Sequence, residues 1–315
     1  VSARFRLGLI GGGRMGRTHL RALKNSHLVE CVAVAEPFES SARELRSMGL
    51  AVFPTVEEML AAGGIDGVII AAPTDQHVEL ATKVIEAGVS VLCEKPFGIS
   101  AEDARNAASL AAERGVALQI AYWRRFIPEL VTLRQDIAAG KLGNIHLVVC
   151  SQWDEAPPPA SFRNHSGGIY IDMGVHEINQ MLWLLDQDVS DVSDVTAVAG
   201  PATEDPDAAN DVDSAQALIS LSAGASAVVS LGRFYPGGDV VTAEVFGSKG
   251  HVRLEVVSPE SGEAPQLEAL RLQAESFARH AAGGPSEGTT APEAAEVLEI
   301  AQRLTDSASI AVLAH

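Results

Sequence analysis

Over the first 120 residues, short and largely apolar runs alternate with stretches in which apolar residues recur every three or four positions. The runs at 5–10, 28–35, 51–53, 67–71, 90–93 and 117–120 read as strands. The stretches at 40–48, 56–62, 76–87 and 101–114 read as amphipathic helices, two of them closed by Gly88 and Gly115. Strands that are apolar at most positions, rather than only at every second one, are covered on both faces. That is the habit of a parallel sheet sandwiched between helices. Ligands of such sheets gather at the carboxyl ends of the strands, and here those ends carry Glu36, Thr74 and Glu94-Lys95.

The rhythm changes after residue 121. A helix over 128–139, stopped by Gly140, leads to a strand at 146–153, a proline-rich loop at 154–161 and a helix from about 171 to 185. Strand then follows strand at 192–198, 214–221, 225–234, 240–246 and 251–257, with hairpin-like links at Ser222-Ala223-Gly224 and Gly247-Ser248-Lys249-Gly250. Residues 205–211 read as an exposed acidic loop, and helices at 266–281 and 292–312 close the chain. The pattern predicts an α/β protein of two domains. A Rossmann-type dinucleotide-binding domain occupies 1–121. A substrate-binding and oligomerisation domain of α+β type occupies 122–315, with a mostly antiparallel sheet whose one face rests on helices.

The first strand runs directly into Ile10-Gly11-Gly12-Gly13-Arg14-Met15-Gly16. A buried strand, a Gly-x-Gly-x-x-Gly turn and a helix form the corner that binds the pyrophosphate of a dinucleotide. Gly11 permits the tight turn, Gly13 presents no Cβ to the phosphates, and Gly16 lets the helix pack on the strand. Glycine-rich turns are common, so the glycines alone signify little. The context adds weight, because Glu36 ends the second strand twenty residues after Gly16, where an acid accepts hydrogen bonds from the adenosine ribose. The same acid would repel a ribose phosphate, and Pro37-Phe38 brings no cation to offset it, so NAD is expected over NADP.

Three further groups carry chemistry. Lys95 follows the fifth strand, where the nicotinamide end of a cofactor lies. Asp172 and His176 stand four apart at the start of a helix and so share one face. Each also has a plain reading: Lys95 as a surface lysine, Asp172 as a helix cap, His176 as a packing histidine. Together they match what oxidation of an alcohol requires. The hydroxyl proton needs a base working near neutrality, a carboxylate steadies the resulting imidazolium, and a cation favours the developing alkoxide.

With 47% apolar residues the chain can bury a large core, and its net charge of −18 with a pI near 4.8 repels nucleic acid and anionic membrane surfaces. Cys31, Cys93 and Cys150 lie in separate apolar runs and read as buried thiols of a reducing compartment. No metal-ligand spacing, transmembrane run or signal peptide is visible, so a cytoplasmic location is expected.

Taken together, Gly11-Gly12-Gly13-Arg14-Met15-Gly16, Glu94-Lys95-Pro96, Arg124-Arg125-Phe126, Ser166-Gly167-Gly168 leading to Asp172-Met173-Gly174-Val175-His176, and Val245-Phe246-Gly247-Ser248-Lys249-Gly250 resemble the Gfo/Idh/MocA oxidoreductases in the family's own order. The resemblance implies a Rossmann domain followed by an open-faced α/β domain that supplies the contact of a homodimer or homotetramer. It implies Lys95, Asp172 and His176 as catalytic triad, with His176 as acid/base and a cis peptide before Pro96. Gly11, Gly13, Arg14, Met15, Gly16, Glu36, Thr74, His77, Glu94 and Lys95 would bind NAD, with His77 alternatively a helix cap. Arg124 resembles a substrate-side arginine, with a structural ion pair as its alternative. Trp153, Asp154, His165, Asn179 and Tyr235 are candidate substrate contacts by position. The stretch from Ser166 to Leu185 is most similar to inositol 2-dehydrogenases, although Asn179 stands where those commonly carry an acid. The implied activity is NAD-dependent oxidation of a secondary hydroxyl on a cyclic polyol or sugar. Sugar or glycoside dehydrogenation, ketosugar reduction, glycoside cleavage through transient oxidation, and a non-catalytic NAD-binding regulator are the alternatives.

Overall fold

The structure is a computed structural model that describes residues 4–201, 203, 205–208 and 211–310. It divides into two compact units. The first runs through Trp123 and takes back Leu267–Ala295, and the second comprises Arg124–Gln266 with the residues from Glu296 onward. The expected boundary at 121/122 therefore falls near the first crossing of the chain, but 267–295 belong with the first unit rather than with the block 122–315.

The first unit alternates β1 (Phe5–Ile10), α1 (Arg14–Leu23), β2 (Val29–Ala35), α2 (Glu39–Ser47), β3 (Ala51–Phe53), α3 (Val56–Ala62), β4 (Gly67–Ile70), α4 (His77–Glu86), β5 (Ser90–Glu94), α5 (Ala101–Arg114) and β6 (Leu118–Ala121). The second opens with α6 (Pro128–Ala138), β7 (Ile145–Trp153), α7 (Ala160–Arg163) and α8 (Val175–Leu185). It continues through β8 (Val192–Ala199), β9 (Ser214–Leu221), β10 (Ser226–Gly232), β11 (Val240–Gly247) and β12 (Gly250–Val257). The chain ends with α9 (Ala264–Ala281), β13 (Thr289–Thr290), α10 (Ala291–Ser307) and β14 (Ser309–Ile310).

The first sheet has the order β13-β6-β5-β4-β1-β2-β3, with β1 to β6 parallel and β13 added antiparallel to β6. Strand order reverses between β1 and β4, and the crevice at that reversal is where doubly wound sheets bind ligands. Its core includes Leu7, Leu9, Val34, Leu45, Ile69 and Leu92, joined by Ala274, Phe277 and Ala278 of α9. Phe277 meets Phe5 edge to face, with centroids 6.2 Å apart. This apolar stripe of α9 explains why a segment so late in the chain is part of the first unit.

The second sheet has the order β12-β11-β7-β10-β9-β8-β14. Only the β10–β7 and β14–β8 pairs are parallel. Burial alternates along β9, β10 and β11. Cys150, Ala217, Val229 and Ala243 share the buried face, while Val149, Leu218, Val228 and Glu244 share the more exposed one. Two expectations need correction here. The last helix ends at Ser307 instead of continuing to 312, because Ser309 and Ile310 find backbone partners on the edge of β8; residue 312 lies outside the described residues. The helix expected from about 171 opens instead with one wide turn over Tyr170–Gly174 before α8 begins. Such turns insert a residue into the helical ladder and often accompany functional sites. Among the described residues, no helix is long and apolar enough to cross a membrane.

Candidate active site

The glycine turn of the first unit is built to receive an anion. Gly11 has φ +93°, and a Cβ there would lie 2.6 Å from the carbonyl oxygen of Ala71. At Gly16 a Cβ would stand 2.0 Å from the Gly11 carbonyl oxygen, so α1 packs against the turn only because that atom is missing. Gly13 caps α1 with nothing within 4 Å of the place a Cβ would take. The approach to the helix N-terminus is therefore open on the side where a pyrophosphate must come in. Arg14 is exposed there and Met15 half-buried.

Glu36 is buried at the end of β2, where its Oε2 accepts the Gly12 amide at 2.8 Å and its Oε1 the Phe38 amide at 2.8 Å. These bonds fix the carboxylate beside the turn, and each oxygen retains a second lone pair for a ribose hydroxyl. An open cradle, a helix N-terminus and a fixed acid at the adjoining strand end fit a dinucleotide with an unphosphorylated ribose.

At the end of β5, Glu94 is buried and its Oε1 lies 2.6 Å from Nε2 of His19, on α1. Its Oε2 accepts the Lys95 amide at 3.2 Å. Glu94 thus ties the helix after the glycine turn to the turn that carries Lys95, a half-buried residue. His19 went unnoticed in the sequence because a histidine on a helix carries no label of its partner. The Lys95–Pro96 peptide is cis. Thr74 is buried just before α4. Both ring nitrogens of His77 face carbonyl oxygens, Nδ1 that of Pro96 at 2.8 Å and Nε2 that of Ala72 at 2.9 Å. With both nitrogens taken by the backbone, His77 supports the Lys95–Pro96 turn rather than reaching a ribose. Burial holds its pKa below the ordinary histidine value, against the opposing pull of the two carbonyls.

In the second unit, Gly167 and Gly168 adopt positive φ and lead into the wide turn, where the Asp172 amide donates to the Gly168 carbonyl at 2.8 Å. Asp172, in the wide turn, and His176, in the first turn of α8, are both buried. Oδ2 of Asp172 accepts from Arg233 at 3.1 Å. Arg233 directly follows β10 and is fully buried, and it also lies 3.0 Å from Oδ2 of Asp211. Arg163 grips the same oxygen at 2.7 Å. The exposed acidic loop expected at 205–211 therefore ends differently. Asp211 is buried because two guanidiniums face it, and charge pairing of this kind is invisible in a run of acidic residues.

The remaining candidates divide. Arg124 is a buried ion-pair partner of Glu177, and it donates to Oε1 of Gln152 at 2.6 Å. The ion pair expected as its alternative role is thus present. Burial raises the Glu177 carboxyl, opposed mainly by the Arg124 charge. Gln152 passes the chain on to Asp154 Oδ1 at 2.9 Å. Asn179 is buried and accepts from Nε of Arg125 at 3.1 Å. Tyr235 is exposed and is joined to Asp154 through its amide at 2.8 Å, while His165 is exposed with Nδ1 on the Ser161 carbonyl at 3.0 Å. Trp153 is not brought to the face of α8. Cys150 meets Gln180 of that helix and Gln152 meets Arg124, so strand alternation turns Trp153 to the opposite face, where Nε1 donates to Ser230 at 3.1 Å. The thiols of Cys31 and Cys150 are both pushed up by burial to about 12, which suits packing rather than nucleophilic roles. Among the described residues no cluster could hold a metal ion.

Comparison with known proteins finds similarity along nearly the whole chain. The model of an oxidoreductase family with an NAD-binding Rossmann fold matches residues 5–122, and the GFO/IDH/MocA C-terminal domain matches residues 130–253. The rhizopine catabolism protein MocA of Rhizobium meliloti is 47% identical over 306 residues, covering 96% of this chain and 95% of that protein. Inositol 2-dehydrogenase of Rhizobium meliloti (strain 1021) is 32% identical over 257 residues, covering 81% and 77%. The crystal structure of GenD2 from gentamicin A biosynthesis, in complex with NAD, superposes with a TM-score of 0.88 at 26% identity over 96% of this chain and 94% of that one.

Proposed function

The chain belongs to the Gfo/Idh/MocA family of NAD-binding oxidoreductases, and from that premise we propose that it oxidises a secondary hydroxyl of a cyclic polyol, as an inositol 2-dehydrogenase does. The observation that carries this reading is a buried histidine, His176, at the start of a helix one turn after a charge-held aspartate, Asp172. Held by the Gly11–Gly16 turn and Glu36, NAD would supply the acceptor for the hydride of the carbinol carbon. The protein's own task is then the hydroxyl proton. His176 takes it as base, and Asp172 orients the ring or the substrate hydroxyl and stabilises the imidazolium. Lys95 has the role of the cation that favours the alkoxide, by its place in the Glu94-Lys95-Pro96 turn. Relatives named as inositol and scyllo-inositol dehydrogenases support the substrate class. Asp154, His165 and Tyr235 are the candidates for hydroxyl contact, and Arg124 and Asn179 act one step behind them.

Purified protein mixed with NAD and a panel of inositols, aldoses and anhydrosugars is expected to raise absorbance at the NADH band with at least one inositol. Silence toward every polyol overturns the proposal, and release of free sugar from a glycoside without NADH points to transient oxidation instead. Glu36 supports NAD as the working cofactor, with kcat/KM expected about tenfold or more above that for NADP. The more exposed face of the second sheet carries Leu218 and Val198, each 46% exposed, with Val228 and Val149 half-buried on the next two strands beyond Leu218. Such a face supports a homodimer or homotetramer, which sedimentation at micromolar concentration tests against a 33.0 kDa monomer. Three free cysteines are consistent with the cytoplasm as its compartment.

A further inference from the structure

Two buried arginines in the second unit have no part in the proton relay as described. Arg233 has no exposed side-chain surface and stands just beyond β10, anchored by its own amide to the Asp213 carbonyl at 2.8 Å. One arm of its guanidinium donates to Asp172 at 3.1 Å, and the other lies 3.0 Å from Asp211. Arg163 closes the far side, donating to Asp211 at 2.7 Å and to Asp213 at 3.0 Å. One line of alternating charge thus runs Asp172, Arg233, Asp211, Arg163, Asp213. It draws together the head of α8, the end of β10, the segment before β9 and α7, elements separated by up to 70 positions in the chain.

Buried ion pairs are poor evidence of stabilisation, since well-packed apolar residues of similar volume often do as well or better. Their better-attested use is to fix one arrangement among several. A guanidinium is suited to that, because its planar fork grips carboxylates at defined angles and stays charged at any pH where an imidazole base works. The oxygen it grips here belongs to the residue that, on the reading above, orients the base.

We infer that Arg233 is a positioning residue for the reaction: it holds the Asp172 carboxylate at the head of α8, with Asp211 and Arg163 fixing Arg233 in turn. The inference rests on the proposed role of Asp172, so a test must separate the two. Arg233 touches neither NAD nor substrate in this account. Its loss should therefore appear in kcat, not in NAD affinity, and should be repairable from outside.

The experiment compares R233A, R233K and D172N with the unaltered chain, using myo-inositol or scyllo-inositol as substrate and NADH formation as readout. Melting temperature and the NAD dissociation constant are measured alongside. R233A is expected to lose about tenfold or more in kcat with NAD affinity within about twofold of the parent. R233K, which restores the charge without the fork, should recover part of the loss. Methylguanidinium, which can enter the space left by the side chain, should raise the activity of R233A and leave that of D172N unchanged. R233A with near-parental kcat, beside a crippled D172N, overturns the inference and leaves the proton relay standing. A fully active D172N overturns the relay and the inference together. Should R233A fail to fold, R233K decides: undiminished kcat overturns the inference, and a lowered kcat with intact NAD binding and melting supports it.

Discussion

The nucleotide corner of the first unit and the head of α8 in the second are built on opposite plans. The corner is made of backbone: Gly11, Gly13 and Gly16 lie within six residues, and what matters about them is atoms they lack. Even its carboxylate, Glu36, is held by two backbone amides. The head of α8 is made of side chains that reach it from afar, with Arg233, Asp211 and Arg163 standing behind Asp172, and Arg124 and Gln152 beside Glu177. Binding a phosphate that never reacts needs only fixed dipoles. Moving a proton needs ionisable groups, and ionisable groups kept from water need counter-charges. The two plans should respond to mutation in opposite ways.

The largest expected effect lies at the second site. His176→Ala should lower kcat by about 10²–10⁴-fold, the usual contribution of a general base, with NAD binding nearly unchanged. Nearly full activity on a confirmed polyol would remove the relay from this helix while leaving the nucleotide fold intact. Next in size is the ion pair beside it. Arg124→Met leaves the buried Glu177 without its counter-charge, and denaturant titration should show a loss of about 3–5 kcal/mol. Glu177→Gln in the Arg124→Met background should recover much of that loss, because the stranded charge is gone. An Arg124→Met protein as stable as its parent would mean that Glu177 is held by something other than the pair.

The first site should show the reverse: weakened binding with almost no loss of stability. Gly13 has φ −70°, which any residue can adopt, and no neighbour within 4 Å of a new Cβ. Gly13→Val should therefore cost at most about 1 kcal/mol of stability through the poorer cap. The same side chain would stand where the pyrophosphate approaches, so the NAD dissociation constant should rise about tenfold or more. An unchanged constant, measured by fluorescence titration, would mean that the phosphates pass elsewhere.

The same contrast governs what could be read in the sequence. Strands such as Gly67–Ile70 and Ser90–Glu94 are apolar enough to be placed within a residue. The glycine turn is legible because its parts are neighbours in the chain. Asp172 and His176 are legible for the same reason, being one turn apart. Their supports are not. Asp211 looked like one more acid in an exposed loop, and nothing in its surroundings names Arg163, 48 positions away. His19 and Glu94 are 75 positions apart, and only the folded chain brings them to 2.6 Å. The face that Trp153 takes is hidden for a simpler reason. Being at the end of a strand does not say which face a side chain takes, and the alternation had to be anchored by Gln152 and Cys150 first. The return of α9 to the first core was hidden too, since an apolar stripe around Phe277 fits any core equally well.

The smallest effect expected is one of pH, and it tests whether the first unit is as purely a matter of backbone as the contrast claims. Beside the buried His19–Glu94 contact, His77 is a further exception, a titratable ring wedged between the carbonyls of Ala72 and Pro96, beneath the turn that carries Lys95. A neutral ring can donate to only one of the two carbonyls, whereas an imidazolium could serve both. Burial opposes the charged form and is the larger influence, so the folded pKa lies below the ordinary value of 6.5. The sign follows directly. Above 6.5 the ring is neutral in both folded and unfolded chains, and its native contribution is fully present. As pH falls below 6.5 the unfolded chain takes up a proton that the folded one resists, so stability is lost down to the depressed folded value. His77→Gln, which does not titrate, should lower the urea midpoint at pH 7.5 by removing the turn's support. The gap between variant and parent should then narrow toward pH 5.5, as the parent loses its own advantage. A gap that widens on acidification would show the opposite balance, with two carbonyls outweighing burial and a charged histidine built into the first unit. The nucleotide corner would then depend on a buried charge much as the head of α8 does, and the division between the two plans would fail at this residue.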